Sequence, residues 1–316
     1  MTNVSIHEIP LKPALSDRIQ PTGFPDLGAA TFRSPRGHGE WVEALHVESP
    51  QSMAKRLQLT TWDEATHAQP EVLDGLPYVE IVDKDGEFHT SSRVEAHRLA
   101  SAYIMDATQD GECGREKLCT TFRLVKDRPW DLRYFARQVM ALDPLSLIHG
   151  VFFAQKRWPR QPKVQRAVTC FIDAHDVAQA VSGGVKTDVV SSSSGNESGR
   201  SSAEGYGSVP HQRTEYTAQS ITAYLSIDHT QLRSFGLGEA GTELLEALID
   251  YELAHLFGDG GLRLRTACQL LVDSSAGELD WLPSVEEANE RVSTAIDDAK
   301  DLLGEVQTYT WELKAK

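Results

Sequence analysis

Two segments with the composition of β-strands flank a long polar stretch, and this spacing constrains the fold more than any other feature of the sequence. Residues 164–174 (VQRAVTCFIDA) are rich in β-branched and aromatic side chains, and residues 217–228 (TAQSITAYLSID) alternate apolar with polar side chains. Between them, residues 191–207 (SSSSGNESGRSSAEGYG) contain too much Ser and Gly to pack in a core. We therefore predict two strands of one domain, joined by a long hairpin-like excursion that contains a mobile loop.

Two βα units surround this excursion and predict the class of the fold. Residues 40–47 have the composition of a short strand, and Ser49 followed by Pro50 marks the start of a helix. Residues 238–256 carry apolar side chains at helical spacing, and residues 262–272 again suit a strand. The resulting order is that of an α+β, RRM-like (ferredoxin-like) sheet with an insertion after the first βα unit. Within the insertion, residues 93–104 and 131–142 are predicted to be helical.

The net charge of −15 is unfavourable for a protein that binds nucleic acid, but the charge is unevenly distributed. Residues 239–316 contain 17 acidic and 6 basic side chains, whereas residues 150–215 contain 8 basic and 6 acidic ones. A basic face on an acidic protein is therefore compatible with the composition.

The sequence favours a cytoplasmic protein with no membrane partner. No apolar run approaches the roughly 20 residues that a membrane span needs, and the first 19 residues lack the apolar core of a secretory signal. The four cysteines lie too far apart for a disulfide framework, and Cys170 and Cys268 lie in apolar runs that predict burial.

Catalytic and metal-binding signatures are missing from the sequence. Asp173 and Asp176 flank His175, but on a strand only the two carboxylates could share a side, so we predict no metal site, no cofactor and no catalytic residue. His149 lies among apolar neighbours, which is more typical of a core histidine than of a catalyst.

Three basic segments are candidates for contact with RNA. The helix that begins after Ser49 presents polar and basic side chains, which is also what an ordinary solvated helix face does. Residues 155–166 place five basic side chains around Trp158, a pattern that suits single-stranded nucleic acid unless the indole packs on the core. The segment 205–210 (GYGSVP) precedes further basic residues, and its glycines would permit close approach of a ligand unless it is a plain turn.

Seven stretches in order resemble the backbone subunit of the type I-G (formerly I-U) CRISPR Cascade, a branch of the seventh Cas protein family in the RAMP superfamily. They are FPDLGAA (24–30), VESPQSMAKRLQL (47–59), SSRVEAHRLASAYI (91–104), DPLSLIHGVFFAQ (143–155), GGVKTD (183–188), GYGSVPHQRTEYTA (205–218) and GLRLRTACQL (261–270). Pro50 and Lys55 depart from the family pattern, in which an apolar residue and Asn are expected.

The resemblance implies a discontinuous RRM-like palm (24–60 and 160–275), a helical finger insertion (61–159), a flexible thumb (182–213) and an acidic C-terminal helical region (276–316). It also implies a non-catalytic subunit that binds guide crRNA, meets target DNA through guide pairing, and contacts other copies of itself and other Cascade subunits. The predicted RNA-binding residues are Gln51, Ser52, Lys55, Arg56, Arg98, Lys156, Arg157, Lys163, Lys186, Tyr206, His211 and Arg213.

Two alternatives remain open at this point. One is an RNA-cleaving endoribonuclease of the same superfamily that uses His97, His149 or the Asp173/Asp176 pair. The other is a protein-interaction scaffold that binds no nucleic acid, which the net charge favours.

Overall fold

The computed structural model describes residues 3–22, 28–35, 40–127, 129, 131–188, 207–258, 261–264, 268–277 and 279–312, with the backbone alone described in 182–188 and 207–213. The fold is α+β, as predicted. The strands in chain order are β1 Val4–Pro13, β2 Thr31–Ser34, β3 Val42–Glu48, β4 Val79–Val82, β5 Phe88–Ser91, β6 Thr108–Gln109, β7 Glu112–Cys113, β8 Val151–Phe152, β9 Lys163–Val164, β10 Val168–Asp188, β11 Gly207–Asp228, β12 Leu262–Arg263, β13 Gln269–Val272 and β14 Gln307–Thr310. The α-helices are α1 Pro50–Leu59, α2 Ala102–Asp106, α3 Gly114–Thr121, α4 Leu132–Leu142, α5 Leu145–Ile148, α6 His229–Ser234, α7 Gly238–Phe257 and α8 Val285–Ala299.

A seven-stranded sheet forms the centre of the molecule, with the order β12-β13-β1-β11-β10-β3-β2. All of its pairings are antiparallel. The alternation in β11 predicted from the sequence is present: Ile221, Ala223, Leu225 and Ile227 are buried on the side that joins the hydrophobic core.

Strand β1 lies in the middle of this sheet, although it precedes residue 24, the predicted start of the palm. It pairs with β11 from Val4↔Asp228 to Leu11↔Ile221, and its other edge pairs with β13. Two prolines, Pro10 and Pro13, weaken its strand signal, because proline is rare in central strands.

The two predicted βα units are present. Ser49 caps α1 by accepting a hydrogen bond from the Ser52 backbone N–H, and Pro50 occupies the first turn. Helix α7 is buried over most of its length because it packs against α8 and also contacts α1, α5 and α6.

The insertion is less helical than predicted. A second sheet, with the order β5-β4-β14-β6-β7, runs through it, and β14 comes from the C-terminal region to pair parallel with β4. Residues 93–104 do not form one helix: Arg98 has a positive φ of 51°, which ends helical geometry, and a 3-10 turn leads to the short α2. Residues 131–142 do form a helix, α4, capped by Asp131.

Where one strand was predicted over 262–272, the structure has two short antiparallel strands, β12 and β13. Next to this pairing, the Leu264 N–H donates to the Cys268 carbonyl. Cys170 and Cys268 are buried, as predicted from their apolar neighbours.

The predicted thumb differs from its expected form where the structure describes it. Strands β10 and β11 stay paired from Ser182↔Arg213 out to Asp188↔Gly207, so these two flanks are regular strands rather than loop. The part of the Ser/Gly-rich stretch in residues 189–206 lies outside the described residues.

Candidate nucleic-acid interface

Helix α1 carries four of the predicted RNA-binding residues, and two of them are engaged within the protein. The Lys55 ammonium donates to the backbone carbonyls of Arg93 (2.8 Å) and Val94. Burial lowers the pKa of Lys55 to about 8, the nearby charge of Arg98 adds to this effect, and surrounding carboxylates oppose it. Lys55 therefore fixes the start of the 93–98 segment against α1.

Arg56 is held in the same way. Its Nη2 lies 3.2 Å from Oε2 of Glu48, a side chain with no exposed surface, and its Nη1 donates to the Arg263 carbonyl. The guanidinium thus neutralises a buried carboxylate and ties α1 to β12. Gln51 is exposed and Ser52 is partly exposed at the start of the helix, where a ligand can reach them.

Residues 155–166 separate into buried and exposed members. The Trp158 ring is 4% exposed and packs edge-on against Phe153, so the indole belongs to the core and is not a stacking platform. Lys156 is exposed, and Arg157 forms an exposed ion pair with Asp106 at 3.4 Å.

A groove of about 600 Å³ brings together predicted residues that are far apart in the sequence. Three stretches form it: the turn at 96–98, the strand β8 with its flanks, and residues 163–169, which include β9. It is lined by Ala96, His97, Arg98, His149, Gly150, Val151, Phe152, Ala154, Lys163, Val164, Gln165, Arg166 and Thr169. Arg98 and Lys163 were predicted to bind RNA, and Arg166 belongs to the basic segment found in the sequence.

Phe152 lines the groove and was not predicted from the sequence. It is 47% exposed and pairs with Lys163 across β8 and β9, with the Lys163 Nζ 5.6 Å from the ring centroid. The available signal was the apolar run VFF, in which strand alternation buries Val151 and Phe153 and exposes the residue between them.

The predicted thumb residues cannot be placed as side chains. Lys186, His211 and Arg213 lie on the paired backbone of β10 and β11, in the part where side chains are not described. Tyr206 lies outside the described residues.

Two of the residues weighed for catalysis, His149 and Asp173, have partners within the protein, and His97 lines the groove. His149 is buried, as predicted, and its Nε2 lies 2.8 Å from Oε1 of Glu252. Asp173 forms a hydrogen bond with His46, at 2.6 Å between Nδ1 and Oδ1, and this contact raises the pKa of the His46 imidazole. Among the described residues, no group of three His, Cys, Asp or Glu side chains is arranged to hold a metal ion.

The sequence profile of the family described as CRISPR-associated protein GSU0053 matches residues 6–179, more than half of the chain. The chain belongs to this family. The expectation of a CRISPR-associated protein is therefore confirmed.

A solved structure described as "CRISPR RNA-guided surveillance complex, pre-nicking" is also similar, with a TM-score of 0.39 and 12% identity. The match covers 79% of this chain and 69% of that chain. No curated protein matches the sequence. None of the helices in the described ranges has the length and apolar character required to cross a bilayer.

Proposed function

We propose that this protein is the backbone subunit of a type I-G CRISPR effector, which binds guide crRNA and oligomerises along it without cleaving it. The family membership supplies the CRISPR context. The observation that carries the proposal is the two-stranded arm formed by the outer halves of β10 and β11.

The arm extends beyond the sheet. From Ala180↔Glu215 to Asp188↔Gly207, nine residue pairs join β10 to β11, and no third strand among the described residues pairs with them. At about 3.3 Å per residue this arm is about 30 Å long. A two-stranded hairpin is marginally stable by itself in water, so an arm of this length is expected to lie against another molecule. Val181, near the base of the arm, is 65% exposed. An exposed apolar side chain at this place is consistent with an arm that is covered by another molecule.

The element order supports an RRM-like palm beneath the arm. Strand β1, helix α1, strands β10 and β11, helix α7 and strand β13 follow the β-α-β-β-α-β order, with β2 and β3 as added strands. Single-stranded RNA is often recognised on folds of this kind. We expect such a subunit to work in the cytoplasm, with guide crRNA, other copies of itself and other Cascade subunits as partners, and to meet target DNA through guide pairing.

The arm can be tested separately from RNA binding. In the test variant, residues 180–215 are replaced by an Asn-Gly turn that joins Gln179 to Tyr216, which are paired in the hairpin. We expect the wild type to form larger assemblies on longer single-stranded RNA in mass photometry, and the variant to bind RNA as single copies. A control that joins Asp188 to Gly207 with the same turn keeps the paired arm and should still assemble. Wild-type protein that purifies free of nucleic acid and binds no RNA would refute the proposal.

One hydrogen-bond chain has the order of a hydrolase triad. Ser5 Oγ lies 2.9 Å from Nε2 of His229, whose Nδ1 lies 2.9 Å from Oε1 of Glu246. We assign it a structural role that links β1 to α6 and α7, because Ser5 pairs with Ile227 inside a strand, whereas hydrolase nucleophiles of the elbow type occupy a strained turn. A fluorophosphonate probe should therefore leave Ser5 unlabelled. Labelling that disappears in Ser5→Ala and Glu246→Gln would show that the chain is a hydrolase.

A further inference from the structure

We infer that the groove between residues 96–98, β8 and β9 binds one nucleotide of single-stranded RNA, with its phosphate on Arg98 and Arg166 and its base against Phe152. This inference rests on the proposed function, since it names the subsite at which the guide is held.

The charge of the groove differs from that of the whole protein. Its described lining includes the cations Arg98, Lys163 and Arg166 and no acidic side chain, in a chain whose net charge is −15. Like charges gathered in a cleft repel one another and attract an anion. The lining therefore favours a phosphate over a neutral or cationic ligand.

Arg98 is a buried cation with an unused donor. The residue is 8% exposed, its Nη1 donates to the Gly150 carbonyl at 3.1 Å, and its Nε is buried without a hydrogen-bond partner. Burial lowers the pKa of Arg98 to about 10, so the guanidinium stays charged at neutral pH. A buried N–H without an acceptor is costly, and a phosphate oxygen in the groove would satisfy it with a charge-assisted hydrogen bond.

His149 lines the same groove and also has an unsatisfied atom. Glu252 holds its Nε2, and its buried Nδ1 has no hydrogen-bond partner. Two side chains that line one groove, each more than nine-tenths buried and each with an unpaired nitrogen, indicate a ligand with polar atoms.

Lys163 and Arg166 are available at the rim. Lys163 is exposed, and among the described residues the Arg166 guanidinium has neither a hydrogen-bond nor an ion-pair partner. Burial lowers the pKa of Arg166, and an anion nearby would oppose that effect.

The exposed ring of Phe152 indicates that the ligand has a base as well as a phosphate, and is therefore a nucleotide. Aromatic side chains next to a basic groove bind single strands by stacking on a base while the cations hold the backbone. A duplex would keep its bases stacked inside and could not use this ring, so we assign the groove to a single strand.

The test measures binding of a fluorescein-labelled single-stranded RNA to the full chain by anisotropy. The test variant is Lys163→Ala/Arg166→Ala. Its matched control is Lys126→Ala/Arg137→Ala, two exposed cations outside the groove lining. We expect the groove variant to bind roughly tenfold more weakly and the slope of log K against log salt to fall by about 0.7, the value for one neutralised phosphate on a single strand. Equal losses in the groove variant and the control would overturn the inference.

Two further variants test the phosphate anchor and the base. Arg98→Lys keeps the charge and removes the Nε donor, so affinity should fall roughly fivefold with little change in the salt slope. With RNA that contains 2-aminopurine, stacking on Phe152 should quench the fluorescence, and Phe152→Ala should restore it, while exposed Trp41→Ala should not. Unchanged quenching in Phe152→Ala would overturn the assignment of the base.

These outcomes separate the groove from the proposed function. Wild-type protein that binds RNA and assembles on it, together with groove variants that bind equally well, would remove the groove inference alone. Wild-type protein that binds no RNA would remove both.

Discussion

Helix α1 and the groove each contain basic residues that the sequence predicted as RNA contacts, yet the two regions use their cations differently. On α1, Lys55 and Arg56 bind backbone carbonyls and the buried carboxylate of Glu48. In the groove, Lys163 and Arg166 form no ion pair with any described residue. A basic side chain is therefore available to a phosphate only where the fold leaves one of its donors without a partner, as it does at the Arg98 Nε.

The aromatic residues repeat this contrast within one segment. Trp158, at the centre of the most basic stretch, is buried against Phe153, while Phe152 is exposed beside Lys163. Position in a basic run did not decide which ring faces solvent. The alternation of β8 exposes Phe152, and the turn that follows β8 buries Trp158.

The largest effect is expected when the buried ring of Trp158 is removed, which tests whether this ring serves the core and not RNA. Trp158→Ala should lower the free energy of unfolding by about 3–5 kcal/mol, because it leaves a cavity beside Phe153. Urea unfolding followed by circular dichroism gives this value. RNA affinity of the folded protein, measured below the transition, should match the wild type. A selective loss of affinity without a loss of stability would mean that Trp158 contacts RNA.

Removing the Arg56 guanidinium tests the structural role of the α1 cations. Arg56→Ala leaves Glu48 buried without its cation, and we expect a loss of about 2–4 kcal/mol in unfolding free energy. Adding Glu48→Gln to the same chain should recover part of this loss, since the uncompensated charge is then absent. If Arg56→Ala instead weakens RNA binding as strongly as the groove variant and leaves stability unchanged, Arg56 on α1 contacts RNA directly.

Lys55 gives a pH-dependent version of the same test. Its pKa of about 8 in the folded state is below its ordinary value of 10.5, so between pH 8 and 10 the unfolded chain holds the proton more tightly. Stability from this group therefore rises with pH across that window and is lost as pH falls through 8. Relative to Lys55→Met, the wild type should gain about 1–2 kcal/mol from pH 8 to pH 10 in urea unfolding. A difference that does not change with pH would show that Lys55 is not held as described.

The smallest effect on stability and RNA affinity is expected at Lys156 and Arg157, in the exposed loop between β8 and β9. Lys156→Ala/Arg157→Ala removes an exposed ion pair with Asp106, which should change stability by less than about 0.5 kcal/mol. Neither residue lines the groove, so we expect RNA affinity to fall by no more than about threefold. An effect as large as that of Lys163→Ala/Arg166→Ala would extend the RNA path onto this loop.

Patterns of neighbouring residues were sufficient to predict several elements of the fold. Ser49 and Pro50 predicted the start of α1, the apolar spacing predicted α7, and the alternation of 217–228 predicted the inner half of β11. These features depend on residues close in the chain. The patterns failed at β1, where Pro10 and Pro13 obscured a central strand, and at 93–104, where Arg98 adopts a left-handed conformation that its contacts in the fold support.

The sequence by itself determined that this chain has an α+β fold, with a long two-stranded excursion and a locally basic stretch on an acidic protein. Only the tertiary structure decided which of the basic residues keep a donor for the proposed RNA ligand. The reason is that their partners come from distant parts of the chain: Lys55 donates to the carbonyls of 93 and 94, and Arg56 donates to that of 263. Arg98 donates its Nη1 to the carbonyl of 150 but keeps its Nε unpaired. Such contacts exist only once the chain has folded, and a pattern of neighbouring residues does not contain them.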